Sequence, residues 1–131
     1  MISPRTPVVH LDTSFLIRAL VAGSEESQKL RAWLRQRRPV AVSTVTWGEF
    51  LCGPLGEADR ATARRIAHTH VPVGTEEITE AARLFNHGGR RRGSFPDCVI
   101  AGTAIVSGAE LATSNAGDFE RFVDAGLTLA A

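Results

Sequence analysis

The chain has 131 residues, 44% of them hydrophobic, which suits one compact domain spanning residues 1–131 and is too short for two ordinary domains. Its formal net charge is +1, with 14 Arg and one Lys, so any attraction to nucleic acid must come from local arginine patches. No stretch reaches the ~18 apolar residues of a membrane span, and the N-terminus lacks an export signal, so we expect a cytoplasmic protein without membrane contact.

The first predicted elements are a strand and two helices. Residues 8–11 are apolar and β-branched at their start, which predicts a buried strand that ends at Asp12. A helix is expected over residues 13–20. Ser24 precedes a second helical pattern, which stops at a basic pair and Pro39.

A strand and two helices are predicted for the middle of the chain. Residues 40–42 are apolar and short enough for a buried strand. Ser43 or Thr44 can cap the helix that follows and ends at Gly53. The Ala- and Arg-rich residues 57–68 predict the next helix.

The C-terminal half continues the alternation of strands and helices. A third strand, residues 70–73, precedes a helix that Thr75 is expected to cap and that ends at Gly88. Ser94 and Pro96 are expected to open the helix after it. The remaining predicted elements are a strand at 111–113, a short helix at 118–123 and a last strand at 127–129.

This alternation predicts an α/β fold with a central parallel sheet flanked by helices on both faces. In such sheets, ligands bind outside the carboxyl ends of the strands. Asp12 ends the first predicted strand, Glu49 lies on the helix after the second, and Asp118 follows the fourth. Three separate segments therefore bring an acidic side chain toward one rim of the sheet.

Three of the acids also have a purely structural explanation. Asp12 can cap the helix that follows it. Asp97 follows Ser94 at the spacing of a capping box, and Asp118 follows Asn115 at the same spacing. Taken singly, each of these acids can therefore serve only to start a helix.

Glu49 is different, because it lies on the predicted inward stripe of its helix, where a lone carboxylate is costly to bury. It must reach a rim open to water or be neutralised by a positive group. Four carboxylates within ~5 Å of one another would repel pairwise by roughly 3 kcal/mol at an effective dielectric near 20. A divalent cation removes that repulsion, and an all-oxygen ligand set points to Mg²⁺ or Mn²⁺.

Zinc chemistry and disulfides are not expected. Cys52 and Cys98 lie far apart in sequence and match neither a zinc pattern nor a disulfide framework, which indicates reduced thiols. The four histidines are scattered along the chain, so we expect them to be structural or exposed. Trp33 and Trp47 recur at helical spacing and are expected in the core rather than stacked on a nucleobase.

Four segments of the chain resemble, in order, the four acidic motifs of PIN-domain nucleases. The resemblance is greatest to toxin ribonucleases of the VapC type, and it runs from Val8 to the last residue. The four segments are VVHLDTSFLI, STVTWGEFLCG, FPDCVIAGTAI and LATSNAGDFERF.

The resemblance implies a PIN fold, RNA cleavage that leaves a 5′-phosphate, and dependence on Mg²⁺ or Mn²⁺. It also implies a homodimer and a VapB-like antitoxin that occludes the acidic groove. We interpret Asp12 and Asp97 as ligands of the principal metal, with Glu49 and Asp118 acting through a water or a second cation. Ser114 departs from the family, which often has a larger, basic residue there. The positions that match supporting polar residues of the family are Thr13, Ser14, Thr113 and Asn115.

RNA must approach the acids past their negative charge, which requires basic residues on the rim. Arg90, Arg91 and Arg92 lie between glycines just before the Asp97 helix and are the best candidates for RNA contacts. The alternative is that they form only a solvated loop.

Two rival interpretations remain open at this point. Aspartyl-phosphate enzymes also place acids at strand ends, but they use a late lysine, whereas the single lysine here is Lys29. A non-catalytic PIN-like module could bind RNA or a partner without cutting it, although the presence of all four acids argues against that.

Overall fold

The computed structural model describes residues 6–131, so the first five residues of the predicted 1–131 domain lie outside it. Four strands form one parallel sheet in the order β3-β2-β1-β4. In the register, Val9 pairs with Val40 on one side and with Glu110 on the other. This confirms the predicted α/β architecture. The strands are β1 (Val9–Leu11), β2 (Val40–Ser43), β3 (His70–Val71) and β4 (Glu110–Ala112).

Helices fill the segments between the strands, close to the predicted positions. Seven α-helices are described, and a 3₁₀ helix, Glu120–Ala125, follows the last of them. None of the helices within residues 6–131 has the length and hydrophobicity that crossing a bilayer would need. The α-helices are α1 (Thr13–Ala19), α2 (Glu25–Arg35), α3 (Thr44–Leu51), α4 (Glu57–Ile66), α5 (Thr75–His87), α6 (Phe95–Val106) and α7 (Ala116–Phe119).

The hydrophobic core consists of two clusters, one on each face of the sheet. Successive residues of a strand point to opposite faces, and the adjacent β4 residues Leu111 and Ala112 belong to different clusters. Trp33 is buried in the first cluster, as predicted, where its ring stacks on Phe15 at 5.6 Å between centroids. Trp47 is only half-buried and packs against that cluster. Helices therefore cover both faces, which confirms the predicted layering.

Within residues 6–131, helices α5 and α6 pack against each other more extensively than any other two helices do. Gly102 of α6 lies directly against the α5 backbone, because a Cβ at that position would be 3.0 Å from the nitrogen of Ala81 and 3.2 Å from the carbonyl oxygen of Glu77. The missing side chain lets the two backbones approach. Since α6 carries Asp97 in its first turn, this contact also sets where that acid lies.

The last predicted strand and the predicted cap of α5 are wrong. The strand at 127–129 is reduced to a single bridge between Leu129 and Leu111. The chain leaves the 3₁₀ helix through Gly126, at φ 119°, and buries Leu127 in the second cluster. The C-terminal residues therefore do not pair with β4 as a continuous strand. Thr75 does not cap α5. Gly74 occupies that position, and its backbone N–H donates to the Glu77 carboxylate at 2.7 Å.

Candidate active site

All four predicted acids line one pocket of about 340 Å³ at the carboxyl end of the sheet. They come from four different segments: the end of β1, helix α3, the first turn of α6, and α7. Thr13, Ser14 and Asn115 line the same pocket. The acids are Asp12, Glu49, Asp97 and Asp118.

Asp12 is the most buried of the four, with 4% of its surface exposed. Its Oδ1 accepts hydrogen bonds from the Phe15 backbone N–H at 2.8 Å and from the Ser14 hydroxyl at 2.9 Å. Its Oδ2 accepts from the Thr113 hydroxyl at 2.5 Å. The capping explanation for Asp12 is therefore correct, but the cap uses only one of its two oxygens.

The hydrogen bonds of Asp12 leave one acceptor position open. An ionised carboxylate has about four lone-pair sites, two on each oxygen. Donors occupy two sites on Oδ1 and one on Oδ2, so the remaining site belongs to Oδ2. Asp12 can thus cap α1, hold the loop after β4 and still offer one oxygen to a cation.

Glu49 reaches the solvent-exposed rim of the pocket rather than the core, which is one of the two outcomes expected for a carboxylate at its position. The residue is exposed, and its Oε1 accepts a hydrogen bond from the Thr13 hydroxyl at 2.6 Å. This contact connects helix α3 to the residue after Asp12. Thr13 therefore orients the Glu49 carboxylate toward the pocket that both residues line.

Asp97 does not form the predicted capping box with Ser94. Ser94 lies at the helix start in αR geometry, and its hydroxyl donates to the Arg91 carbonyl at 2.6 Å instead of accepting from α6. The half-buried Asp97 side chain lines the pocket. Its place in the first turn of α6 also suits its charge, since helix N-termini favour negative groups.

Asp118 is exposed and lies in α7, shortly after β4. Asn115 occupies the position before α7, but its side chain makes no cap hydrogen bond, so the predicted capping role is wrong. Its backbone N–H donates to the Thr113 hydroxyl at 2.9 Å. That hydroxyl in turn donates to Asp12, so the loop after β4 is joined to the first acid.

The electrostatics of the pocket favour a bound cation. Burial raises the pKa of the Asp12 carboxyl against the hydrogen bonds that lower it, and the charge of Glu49 raises it further. Burial also raises the pKa of Asp97, followed by the negative charges of Asp118 and Glu49, while Arg121 opposes them. Burial and neighbouring negative charge thus make Asp12 and Asp97 harder to ionise, and a divalent cation bound in the pocket would oppose both effects.

The acids surround a shared space without meeting at a point. Within residues 6–131, no three His, Cys, Asp or Glu side chains lie close enough together to form a finished metal-ligand group. Mg²⁺ commonly keeps several waters and binds through only one or two carboxylates. The open oxygen of Asp12 and the other three carboxylates around the pocket therefore fit a hydrated divalent cation.

The three predicted RNA-contacting arginines lie outside this pocket. Arg90, Arg91 and Arg92 are exposed in the loop between α5 and α6. Arg90 has a positive φ of 57°, and its Nε donates to the Asn86 side chain at 3.0 Å. The loop ends at the helix that carries Asp97, but none of the three arginines lines the pocket.

The apolar residues of the pocket and one acid outside it were not predicted. Ile17, Ile100 and Phe119 supply apolar walls, and Ile100 lies one turn after Asp97, so helical spacing could have revealed it. Glu26 of α2 contacts the loop after β4 through Ser114, at 2.6 Å between oxygens. No local pattern in the sequence connects those two residues, which are 88 positions apart.

Comparison with solved structures finds the same fold in toxin–antitoxin proteins. VapBC2 from Rickettsia felis, bound to a DNA fragment from its promoter, matches with a TM-score of 0.75 at 18% identity, over 94% of this chain and 97% of that one. A toxin–antitoxin complex from Klebsiella pneumoniae matches with a TM-score of 0.68 at 25% identity, over 85% and 89% of the two chains. VapC20 from Mycobacterium tuberculosis, a sarcin–ricin loop cleaving toxin, matches with a TM-score of 0.64 at 20% identity, over 93% and 98%.

A search of curated proteins finds no match to this sequence. The family model described as the PIN domain matches residues 9–124, which include all four acids and the whole sheet. This match confirms the resemblance of the four acidic segments to PIN-domain motifs, and the chain is a member of the PIN domain family.

Proposed function

We propose that this protein is an endoribonuclease that depends on Mg²⁺ or Mn²⁺ and acts as the toxin of a toxin–antitoxin pair. The observation that carries the proposal is the pocket of four carboxylates, drawn from four segments, at the carboxyl end of the sheet. Toxin–antitoxin complexes among the structural neighbours support the second part.

In this proposal, Asp12 and Asp97 hold the principal cation, and Glu49 and Asp118 face it from the open side of the pocket. When bound, the cation supplies a water of lowered pKa and neutralises charge on the scissile phosphate. The protein's own part is positional. Thr113 and Ser14 hold the Asp12 carboxylate, and Thr13 holds Glu49.

The loop arginines would attract the RNA backbone toward the acidic pocket. Arg90, Arg91 and Arg92 are exposed and precede the helix that carries Asp97. Phosphate contacts of this kind position a strand without reading its sequence. The proposed partners are an RNA substrate, a VapB-like antitoxin and a second copy of the chain. We also propose that the protein is cytoplasmic and consists of one PIN domain.

The test is cleavage of total cellular RNA by the purified protein with Mg²⁺, with Mn²⁺ and with EDTA, followed by mapping of the new 5′ ends. Replacing Asp12 or Asp97 with Asn should lower cleavage by more than about 100-fold, since even groups that orient a metal ligand contribute about 10- to 100-fold. Asp59→Asn is the matched control, because Asp59 is a partly exposed acid in the first turn of α4, away from the pocket.

Full activity of Asp12→Asn or of the EDTA-treated protein would contradict the proposal. Binding of Mn²⁺ and RNA without any cleavage would favour the alternative function, a non-catalytic PIN-like module that binds RNA or a protein partner. New 5′-phosphate ends that depend on Mn²⁺ and on Asp97 would support the nuclease.

A further inference from the structure

We propose that Glu26 is a positioning residue for the acidic pocket, acting through Ser114 and Ser14 on the carboxylate of Asp12. The inference rests on the proposed function, because it assigns a residue outside the four acids to the same site. Glu26 lies in the first turn of α2 and does not line the pocket of the four acids.

A continuous chain of hydrogen bonds joins Glu26 to Asp12. The Ser114 hydroxyl donates to Glu26 Oε2 at 2.6 Å, and the Ser114 backbone N–H donates to the Ser14 hydroxyl oxygen at 3.2 Å. The Ser14 hydroxyl then donates to Asp12 Oδ1 at 2.9 Å. Three hydrogen bonds therefore connect helix α2 to the most buried acid of the pocket.

The direction of these bonds is what orients Asp12. A serine hydroxyl has one proton and can rotate to several partners. Because the Ser14 oxygen accepts from Ser114, its proton is directed to Asp12 Oδ1 rather than elsewhere. The open acceptor site of Asp12 then stays on Oδ2, the oxygen that is free to meet a cation.

Glu26 is suited to hold Ser114 because it is ionised and confined. Only 12% of its side chain is exposed, and the Ser114 hydrogen bond lowers its pKa, with help from the Arg18 guanidinium 3.0 Å away. A hydrogen bond to a charged acceptor is about twice as strong as a neutral one. Glu26 thus fixes Ser114, the second residue after β4.

Helix stability alone does not account for the burial of Glu26. The adjacent Glu25 is exposed and supplies negative charge to the same first turn of α2. Within residues 6–131, Glu26 Oε1 is buried and has no hydrogen-bond partner in another residue, and an unpaired buried acceptor destabilises the fold. A residue kept in this arrangement serves the contact with Ser114 rather than the helix.

The test uses Glu26→Ala, Glu26→Gln and Ser114→Ala, with Glu25→Ala as the matched control on the same helical turn. The first measurement is the amide ¹H–¹⁵N signal of Phe15 in the metal-free protein, because that N–H donates to Asp12 Oδ1. The second is the Mn²⁺ concentration that gives half-maximal RNA cleavage, together with kcat and KM.

We expect Glu26→Ala and Ser114→Ala to move the Phe15 signal and to raise the half-maximal Mn²⁺ concentration on the order of 10-fold, the scale found for groups that orient metal ligands. Glu26→Gln keeps a hydrogen-bond acceptor, so its Phe15 signal and its half-maximal Mn²⁺ concentration should lie close to those of the wild type. Glu25→Ala should leave both unchanged. KM for RNA should stay within about 2-fold, because none of these side chains is assigned to the substrate.

An unmoved Phe15 signal in both Glu26→Ala and Ser114→Ala overturns the inference, as does an equal shift in Glu25→Ala. An unchanged Mn²⁺ requirement in the two variants overturns it as well. If the wild-type protein cleaves no RNA, the proposed function fails. The Phe15 signal still decides whether Glu26 orients Asp12, since that measurement needs neither metal nor substrate.

Discussion

The contact between α5 and α6 makes a quantitative prediction about two glycines. Gly102 and Gly48 both lie inside helices, so replacing either with Ala should gain about 1 kcal/mol from helix propensity. The surroundings of the two positions differ. A Cβ at Gly48 meets no atom within 4 Å, whereas a Cβ at Gly102 meets three backbone atoms of α5 between 3.0 and 3.3 Å.

Backbone atoms cannot rotate away, so Gly102→Ala must push α5 and α6 apart by a few tenths of an ångström. Overpacking of this kind typically costs about 1–3 kcal/mol. Gly48→Ala should therefore raise the free energy of unfolding by up to about 1 kcal/mol. The free energy of unfolding of Gly102→Ala should be about 1–3 kcal/mol lower than that of Gly48→Ala. The propensity gain is common to both variants and cancels in this comparison.

The assay is urea unfolding of the wild type and both variants at pH 7 in EDTA, which removes any contribution from bound metal. Equal slopes of the free energy of unfolding against urea concentration would show that the variants expose the same surface area on unfolding. If Gly102→Ala proves as stable as Gly48→Ala with an unchanged slope, then α5 and α6 do not approach as closely as described.

Three further predictions concern pH, metal and salt. Burial lowers the pKa of His10 from 6.5 to about 4, so the folded state resists protonation, and about 3 kcal/mol of stability should be lost as the pH falls through that range. Urea unfolding of His10→Leu should show a flatter pH dependence. Burial and neighbouring negative charge raise the pKa of Asp97, so at pH 7 in EDTA its ionised form destabilises the fold. Under these conditions, Asp97→Asn should unfold at a higher urea concentration than the wild type, and saturating Mn²⁺ should reverse that order. Replacing Arg91 and Arg92 together with Gln should weaken RNA binding at low salt and reduce the slope of log affinity against log salt by up to about 2, one per lost phosphate contact. An unchanged slope would mean that this loop only faces solvent.

The sequence predicts the sheet well because its strands are short, apolar and separated by strong helix signals. It predicts the shared position of the acids because parallel strands all end at the same rim, as Asp12 and Asp118 illustrate. It predicts the surroundings of those acids less well. The cap of α5 depends on the Gly74 backbone, and Ser94 bonds to Arg91 rather than to α6.

These details escape prediction because they depend on contacts between distant segments. The strand at 127–129 has the right composition, but the turn through Gly126 buries Leu127 and leaves a single bridge. The Ser114–Glu26 contact spans 88 positions and leaves no periodic signal. Periodicity identifies which residues form an element, whereas the hydrogen bonds of the site depend on how the elements meet.

The two edges of the sheet limit how other chains can associate with this protein. Strand β3 has only two residues, and the opposite edge at Leu111 accepts from Ala130 and donates to Thr128 in the tail of its own chain. As far as residues 6–131 show, neither edge offers a long row of free backbone groups that another strand could extend. Assembly by adding a strand is therefore disfavoured, and a binding protein or second copy should attach through the helical faces.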